Sequence, residues 1–219
     1  MTASAAADTS ATGKSVGRDP DFIVIGAMKA GTTTLYAHLQ AHPQVFMADP
    51  KEPNYFSKDE VYQEKGRDWY RRLFADARPD QRCGEASPSY TRAPRFVATP
   101  ERMAAEVPNA KLVYIMRHPV ERFYSNYVFD RSFGFNEPIR ATLVERPYVL
   151  ETSRYIDQIR RYLEHFPAER LHCLLLDDLR SDLDATLRRL AAFLGIADFA
   201  TADEANVRAN ERGEQHTKR

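Results

Sequence analysis

Apolar positions along this chain follow two rhythms: short unbroken runs of aliphatic residues, and longer stretches where they recur every three or four residues. Unbroken runs closed by glycine or a charged residue mark strands buried on both faces of a parallel sheet. Phe22-Ile-Val-Ile-Gly26, Lys111-Leu-Val-Tyr-Ile-Met-Arg117 and Leu171-His-Cys-Leu-Leu-Leu176 are such runs, and Val45-Phe-Met47 is a shorter fourth. The helical rhythm occupies 32–42, with Leu35, Ala37, Leu39 and Ala41 on it, threonine hydroxyls at its start and Pro43 just past its end. It returns at 67–77 (Trp69, Tyr70, Leu73, Phe74), from about 94 to 107 ahead of Pro108, at 151–166, and at 183–194 before Gly195. Pro119 suits the first position of a helix leaving the Arg117 strand. Strands separated by helices predict an α/β fold, a central parallel sheet with helices on both faces. The segment from Cys83 through Glu85-Ala-Ser-Pro-Ser-Tyr90 reads as a proline-broken loop.

Composition narrows this picture. With 43% hydrophobic residues in 219, the chain supports one core of ordinary size, assigned to residues 21–197. Residues 1–20 read as a disordered leader and 198–219 as a polar tail. Thirty-one basic and 31 acidic side chains cancel, so no global field argues for nucleic acid, and an anion site must be built locally. Cys83 and Cys173 are expected to be reduced core residues. Neither a signal-peptide core nor an apolar run of roughly 18 residues is present, which predicts a cytoplasmic protein without a transmembrane segment. No Cys-x-x-Cys occurs, and no metal site is argued.

The strand at Phe22–Gly26 runs straight into Gly26-Ala-Met-Lys-Ala-Gly31-Thr-Thr-Thr34 and then into a helix. Strand, glycine loop and helix gather backbone N–H groups and the positive helix end around one point, where an anion is favoured. The two glycines have the spacing of a nucleotide-triphosphate loop, but Thr32 stands where that loop carries its lysine. Lys29 lies inside the loop instead, aimed at a transferred group and its bridging oxygen. Arg117 ends a strand and Ser125 follows eight residues later on the next helix, near the same angular phase as the helix start. An arginine fork and a hydroxyl converge there on a second anion. Arg122, between them, reads as a solvated helix position.

The loop, the stretch Pro50-Lys-Glu-Pro-Asn-Tyr-Phe-Ser57 and the segment Tyr114-Ile-Met-Arg-His-Pro-x-x-Arg-x-x-Ser125 together resemble the sulfotransferases that depend on 3'-phosphoadenosine 5'-phosphosulfate (PAPS). The likeness is nearer the heparan and bacterial branches than the cytosolic aryl branch, and runs from about Phe22 to Gly195. It implies a P-loop-like three-layer fold, PAPS as co-substrate with PAP (adenosine 3',5'-bisphosphate) as product, and no metal. By the same likeness Lys29 is catalytic, and Lys29, Ala30, Gly31, Thr32, Thr33 and Thr34 bind the 5'-phosphosulfate. Arg117 and Ser125 bind the 3'-phosphate. Tyr155 matches a tyrosine that lies against adenosine, although on spacing alone it is a core aromatic. Past Gly195 the family carries a basic nucleotide-covering segment, for which Arg208, Arg212 and Gly213 are the candidates.

Sulfuryl transfer to a hydroxyl needs positioning, charge stabilisation on the leaving oxygen, and one group to take a proton. Glu52, on a turn fixed by Pro50 and Pro53, is the chosen base, and Glu85 its rival. The acceptor is a small molecule, carbohydrate or lipid. Two other functions fit parts of the pattern. A P-loop kinase or NTPase would use Asp177 and Asp178 after the last strand to hold magnesium, but lacks its lysine after Gly31. A nucleotide-binding module without turnover would keep the fold and the anion sites.

Overall fold

The computed structural model describes residues 17–199; the leader over 1–16 and the tail over 200–219, with Arg208, Arg212 and Gly213, lie outside the described residues. Strands β1 (Phe22–Gly26), β2 (Val45–Met47), β3 (Arg82–Ala86), β4 (Lys111–Met116) and β5 (Leu171–Leu175) form one sheet in the order β2-β3-β1-β4-β5. All four neighbouring pairs run parallel. The central strand shows why its register is fixed. Ile23 and Ile25 pack on one face with Tyr55, Phe56 and Tyr70, while Phe22 and Val24 pack on the other with Leu35, Leu39 and Leu190. Burying each such side chain is worth about 1.5–3 kcal/mol, and a one-residue slip would exchange the faces.

Helices α1 (Thr32–Ala41) and α9 (Leu183–Leu194) answer the sequence rhythm closely, α4 (Pro119–Arg131) starts at Pro119 as expected, and α7 (Tyr155–Leu163) is shorter at both ends than the stretch expected at 151–166. The Asp182 carboxylate accepts from Ala185 N at 3.1 Å to open α9, which Gly195 ends. Two helices are shifted. The helix expected at 67–77 is the second half of α2 (Asp59–Arg72), which bends at Gly66 (φ 71°) and gives way to turns after Arg72. The one expected from about 94 is α3 (Thr99–Glu106), set by Pro100 in its first turn. Strand β3, expected as loop, has no β-branched residue in Arg-Cys-Gly-Glu-Ala and is held by ladders on both sides. The short helices α5 (Ile139–Glu145), α6 (Pro147–Glu151) and α8 (Leu176–Ser181) fall below the length at which periodicity registers.

Cys83 is buried as expected, but Cys173 is exposed. Among the described residues strand β5 pairs only with β4, and Cys173 and Leu175 (45% exposed) are left uncovered on it, so an apolar run did not mean full burial. Among the described residues no helix is long and apolar enough to cross a membrane. The segments that follow the five strands, at 27–34, 48–58, 87–96, 117 and 176–183, all reach one edge of the sheet, where open α/β folds bind ligands.

Candidate active site

The loop after β1 is forced tight by its glycines. Gly26 has φ +150°, and a Cβ there would stand 2.0 Å from Thr91 Oγ1; Gly31 has φ +98°, and its Cβ would stand 2.6 Å from Leu176 Cδ1. Only glycine permits that backbone and those contacts. A register shift between Val24 and Gly26 in the β1–β4 ladder turns the chain out of the sheet just before the loop. Among the described residues no side chain caps α1, so its first N–H groups stay open towards the cleft. Ala30 is buried in the loop's underside, whereas Thr33 and Thr34 are exposed.

A cleft of about 800 Å³ opens above the loop, lined by Lys29, Gly31, Thr32, Thr33, Thr34 and Glu52 among others. A second, of about 670 Å³, lies beside α4 and is lined by Lys29, Arg117, Ser125, Tyr124 and Phe129. Lys29 and Arg117 belong to both. Lys29 takes a left-handed backbone (φ 65°), and its Nζ sits 4.2 Å from the centre of the Phe129 ring. The left-handed region costs a non-glycine residue on the order of 1–3 kcal/mol where the surroundings impose it.

Arg117 donates from Nε and Nη2 to the Glu121 carboxylate at 3.1 and 3.0 Å. The structure brings Ser125 to the same pocket, and its hydroxyl makes no hydrogen bond among the described residues. Tyr155 lies behind them. Its hydroxyl accepts from Arg117 N at 3.3 Å and donates to Arg117 O at 2.7 Å, and its ring packs edge-on against Tyr114. It lines neither cleft.

Glu52 sits on the opposite wall, also left-handed (φ 60°), as is Asn54 (φ 54°) across Pro53. This doubly strained turn is pinned by side chains that sequence reading did not single out. Asn54 N donates to Ser87 Oγ at 3.1 Å, Asn54 Nδ2 donates to Glu52 O at 2.6 Å, and Ser89 Oγ donates to Asn54 Oδ1 at 2.6 Å. Ser87 Oγ in turn donates to Glu85 at 2.8 Å. Glu85 is fully buried and does not line the cleft; Tyr70 Oη donates to it at 3.2 Å, and burial pushes its carboxyl up to about 7. Lys51, also missed, donates from Nζ to Thr33 Oγ1 at 2.9 Å and to Glu52 at 3.1 Å, joining loop to turn. Its place between the two prolines was the available signal.

Arg122 corrects the sequence reading. It is 0% exposed and no solvated helix position. Its guanidinium donates to Ser153 Oγ at 2.5 Å, Asn126 Oδ1 at 3.1 Å, the Met28 carbonyl at 3.3 Å and the Val149 carbonyl. Burial lowers its pKa to about 10. The residue before Lys29 is thereby tied to α4 and α6, which fixes the loop from beneath. A period-based reading cannot find this, because the partners lie 27 to 94 residues away in sequence, apart from Asn126.

Asp177 and Asp178 fall in the first turn of α8. His38 on α1 and His42 just past its end stand four apart, but they do not form a ligand pair: Nδ1 of His42 accepts from Gln44 N, and its Nε2 lies 3.0 Å from Ala197 O.

Residues 19–211 match the sulfotransferase domain family. A bifunctional heparan sulfate N-deacetylase/N-sulfotransferase of Drosophila melanogaster is 30% identical over 209 residues, covering 81% of this chain and 20% of that protein. A heparan sulfate glucosamine 3-O-sulfotransferase 5 of Mus musculus is 30% identical over 192 residues, covering 81% of this chain and 54% of that one. The crystal structure of a sulfotransferase from Alicyclobacillus acidocaldarius superposes with a TM-score of 0.72 at 29% identity, covering 82% of each chain.

Proposed function

We propose that this chain, which belongs to the sulfotransferase domain family, moves a sulfuryl group from PAPS to a hydroxyl or amine of a small-molecule, carbohydrate or lipid acceptor by in-line transfer. The observation that carries the reading is that Lys29 and Arg117 line both clefts, with Glu52 in the one and Ser125 in the other. The ligand such a site fits has two separated anionic ends and a reacting group between them and the base. PAPS fits that description, and ATP, with one polyphosphate end, does not.

The donor supplies an activated sulfuryl group on its 5'-phosphate. Glu52 takes the acceptor's hydroxyl proton as the new O–S bond forms, and the electron pair of the breaking S–O bond passes to the phosphate oxygen. Lys29 and the open N–H groups of the loop meet the charge that develops there. Arg117, with its backbone held by Tyr155, and Ser125 grip the 3'-phosphate, so that Tyr155 acts through Arg117. Glu52 is preferred to Glu85 because Glu52 lines the cleft and Glu85 is enclosed behind the Asn54 turn. A cytoplasmic location belongs to this proposal on the strength of the sequence reading.

The test is calorimetric titration with PAP, followed by transfer of labelled sulfate from PAPS to a panel of sugars, lipids and phenols. Binding with transfer supports the reading. Absence of PAP binding, or magnesium-dependent hydrolysis of a nucleoside triphosphate, overturns it, and PAP binding without transfer to any acceptor favours a binding module.

A further inference from the structure

The wall of the larger cleft that carries Glu52 is strongly and unevenly charged. Beyond Lys29 and Arg117, which the donor engages, it presents Lys58, Arg92 and Arg95, and Glu52 is the one carboxylate among the described residues lining the cleft. A cleft lined by one sign of charge concentrates ligands of the other. Arg92 and Arg95 bring unspent donors to this cleft. Neither makes an ion pair or a side-chain hydrogen bond among the described residues, and Arg92 Nε is buried with no partner. Their guanidinium carbons lie 5.4 and 5.5 Å from the centre of the Tyr148 ring.

A third arginine, Arg146, shares that ring at 5.4 Å and is the one that is neutralised, by Asp130 at 3.0 Å. Asp130 is thus committed, and it also accepts from Asn126 Nδ2 at 3.0 Å. Burial, and after it the charge of Arg95, lowers the pKa of Arg92. Holding the buried Nε of the half-buried Arg92 without an acceptor costs free energy that an arriving oxyanion returns. A purely structural role, gluing Tyr148 in place, would need one cation on the ring and would pair it. Two unpaired arginines that line a cleft beside the candidate base are instead a preformed fork for a carboxylate, sulfate or phosphate.

We infer that Arg92 and Arg95 form an anion subsite for the acceptor: the molecule sulfated here carries its own acidic group, held by these two arginines while its hydroxyl faces Glu52. Naming the ligand an acceptor rests on the sulfuryl-transfer reading; the subsite itself rests on the cleft.

The test uses three probes on one scaffold: 4-nitrophenyl β-D-glucuronide (a carboxylate), the 6-sulfate of 4-nitrophenyl β-D-glucoside (a sulfate ester), and the neutral glucoside. Each is titrated by calorimetry at about 0.15 M salt into the full chain with PAP present, and into Arg92→Gln, Arg95→Gln and the double variant. The expected result is that at least one acidic probe binds tenfold or more tightly than the neutral one. Arg95→Gln reduces that preference several-fold, the double variant abolishes it, and PAP affinity stays within about twofold throughout. Which acidic probe wins tells carboxylate from sulfate. Equal affinity for all three probes, no binding of any, or a preference that survives the double variant overturns the inference. Because Arg95 is exposed, its variant folds even if Arg92→Gln does not, and a preference unchanged in Arg95→Gln counts against the fork. If PAP fails to bind while the acidic preference is present and lost in the double variant, the subsite stands and the donor assignment falls.

Discussion

The two walls of the cleft are built by different means. The donor wall, from the loop after β1 and the end of β4, is made of strand-to-helix junctions in which backbone geometry does the positioning: glycines at 26 and 31, open N–H groups, and an arginine delivered by a strand end. The acceptor wall, from 50–58 and 85–96, has little regular structure and is held by side chains reaching across 33 to 35 residues of sequence, through Asn54, Ser87 and Ser89 to the buried Glu85. Backbone-built sites tolerate side-chain change outside the ligating groups. A side-chain network transmits each substitution to the turn it supports. Damage to the acceptor wall is therefore expected to spare donor binding, and damage to the donor wall to show first in affinity for PAP.

The largest effect is expected at Glu52. Glu52→Gln keeps the shape of the turn and the Lys51 contact but cannot accept a proton, so kcat should fall by about 10²–10⁴, with PAP affinity changed less than threefold by calorimetry. A comparable loss of both quantities would mean that the walls do not act separately, and would remove Glu52 from the role of base.

Glu85 sharpens the comparison through pH. Its carboxyl is held up at about 7 by burial, against an ordinary value of 4.5, with the Glu52 charge adding to the rise and bonds from Tyr90, Ser87 and Tyr70 opposing it. The folded state therefore keeps a proton that the unfolded chain has released over this window. The stability contributed by the group is fully present below about pH 4.5 and is lost as pH rises through about 7. The loss is on the order of a few kcal/mol. Thermal unfolding followed from pH 5 to 8 should show a steeper decline for the wild type than for Glu85→Gln. Parallel profiles would show that Glu85 does not titrate in this range.

How much of each wall was legible in the sequence follows from the same difference. The donor wall was readable from local spacing: Gly26, Lys29, Gly31 and the threonines lie within nine residues, and Arg117 and Ser125 fall eight apart across a strand end and a helix. Those are distances over which backbone periodicity dictates direction. On the acceptor wall only Glu52, through its flanking prolines, and its rival Glu85 were singled out, and nothing in the spacing told that Glu85 is enclosed. Strand β3 was hidden because its burial comes from neighbours on both sides and not from its own residues. Arg122 was misread for a related reason: its helix has mixed faces, and the chain that covers it, at 149 and 153, is a short helix and a turn with no periodic signature.

On the donor wall, Arg117→Ala should weaken PAP binding by about 10- to 100-fold, the equivalent of the 1.5–3 kcal/mol of hydrogen bonds to a charged group. The residual kcat at saturating PAPS should stay near that of the wild type. A fall in kcat with PAP affinity intact would put Arg117 at the reacting centre and not at the 3'-phosphate.

Ser125 tests the smallest part of the contrast. Its hydroxyl has no partner among the described residues and lies in the pocket it shares with Arg117. In the folded chain without ligand, Ser125→Ala therefore removes nothing, and the melting temperature should not move. With PAP bound, one hydrogen bond is missing, worth about 0.5–1.5 kcal/mol, so the affinity should fall by roughly 2- to 10-fold. The pairing of these two measurements is what identifies a ligand contact: a structural serine loses stability on truncation, and a solvated one changes neither quantity. Adenosine 5'-phosphosulfate, which lacks the 3'-phosphate, should bind wild type and Ser125→Ala equally. A twofold or greater difference with that ligand would move the 3'-phosphate away from Ser125 and leave Arg117 as its sole anchor on this wall.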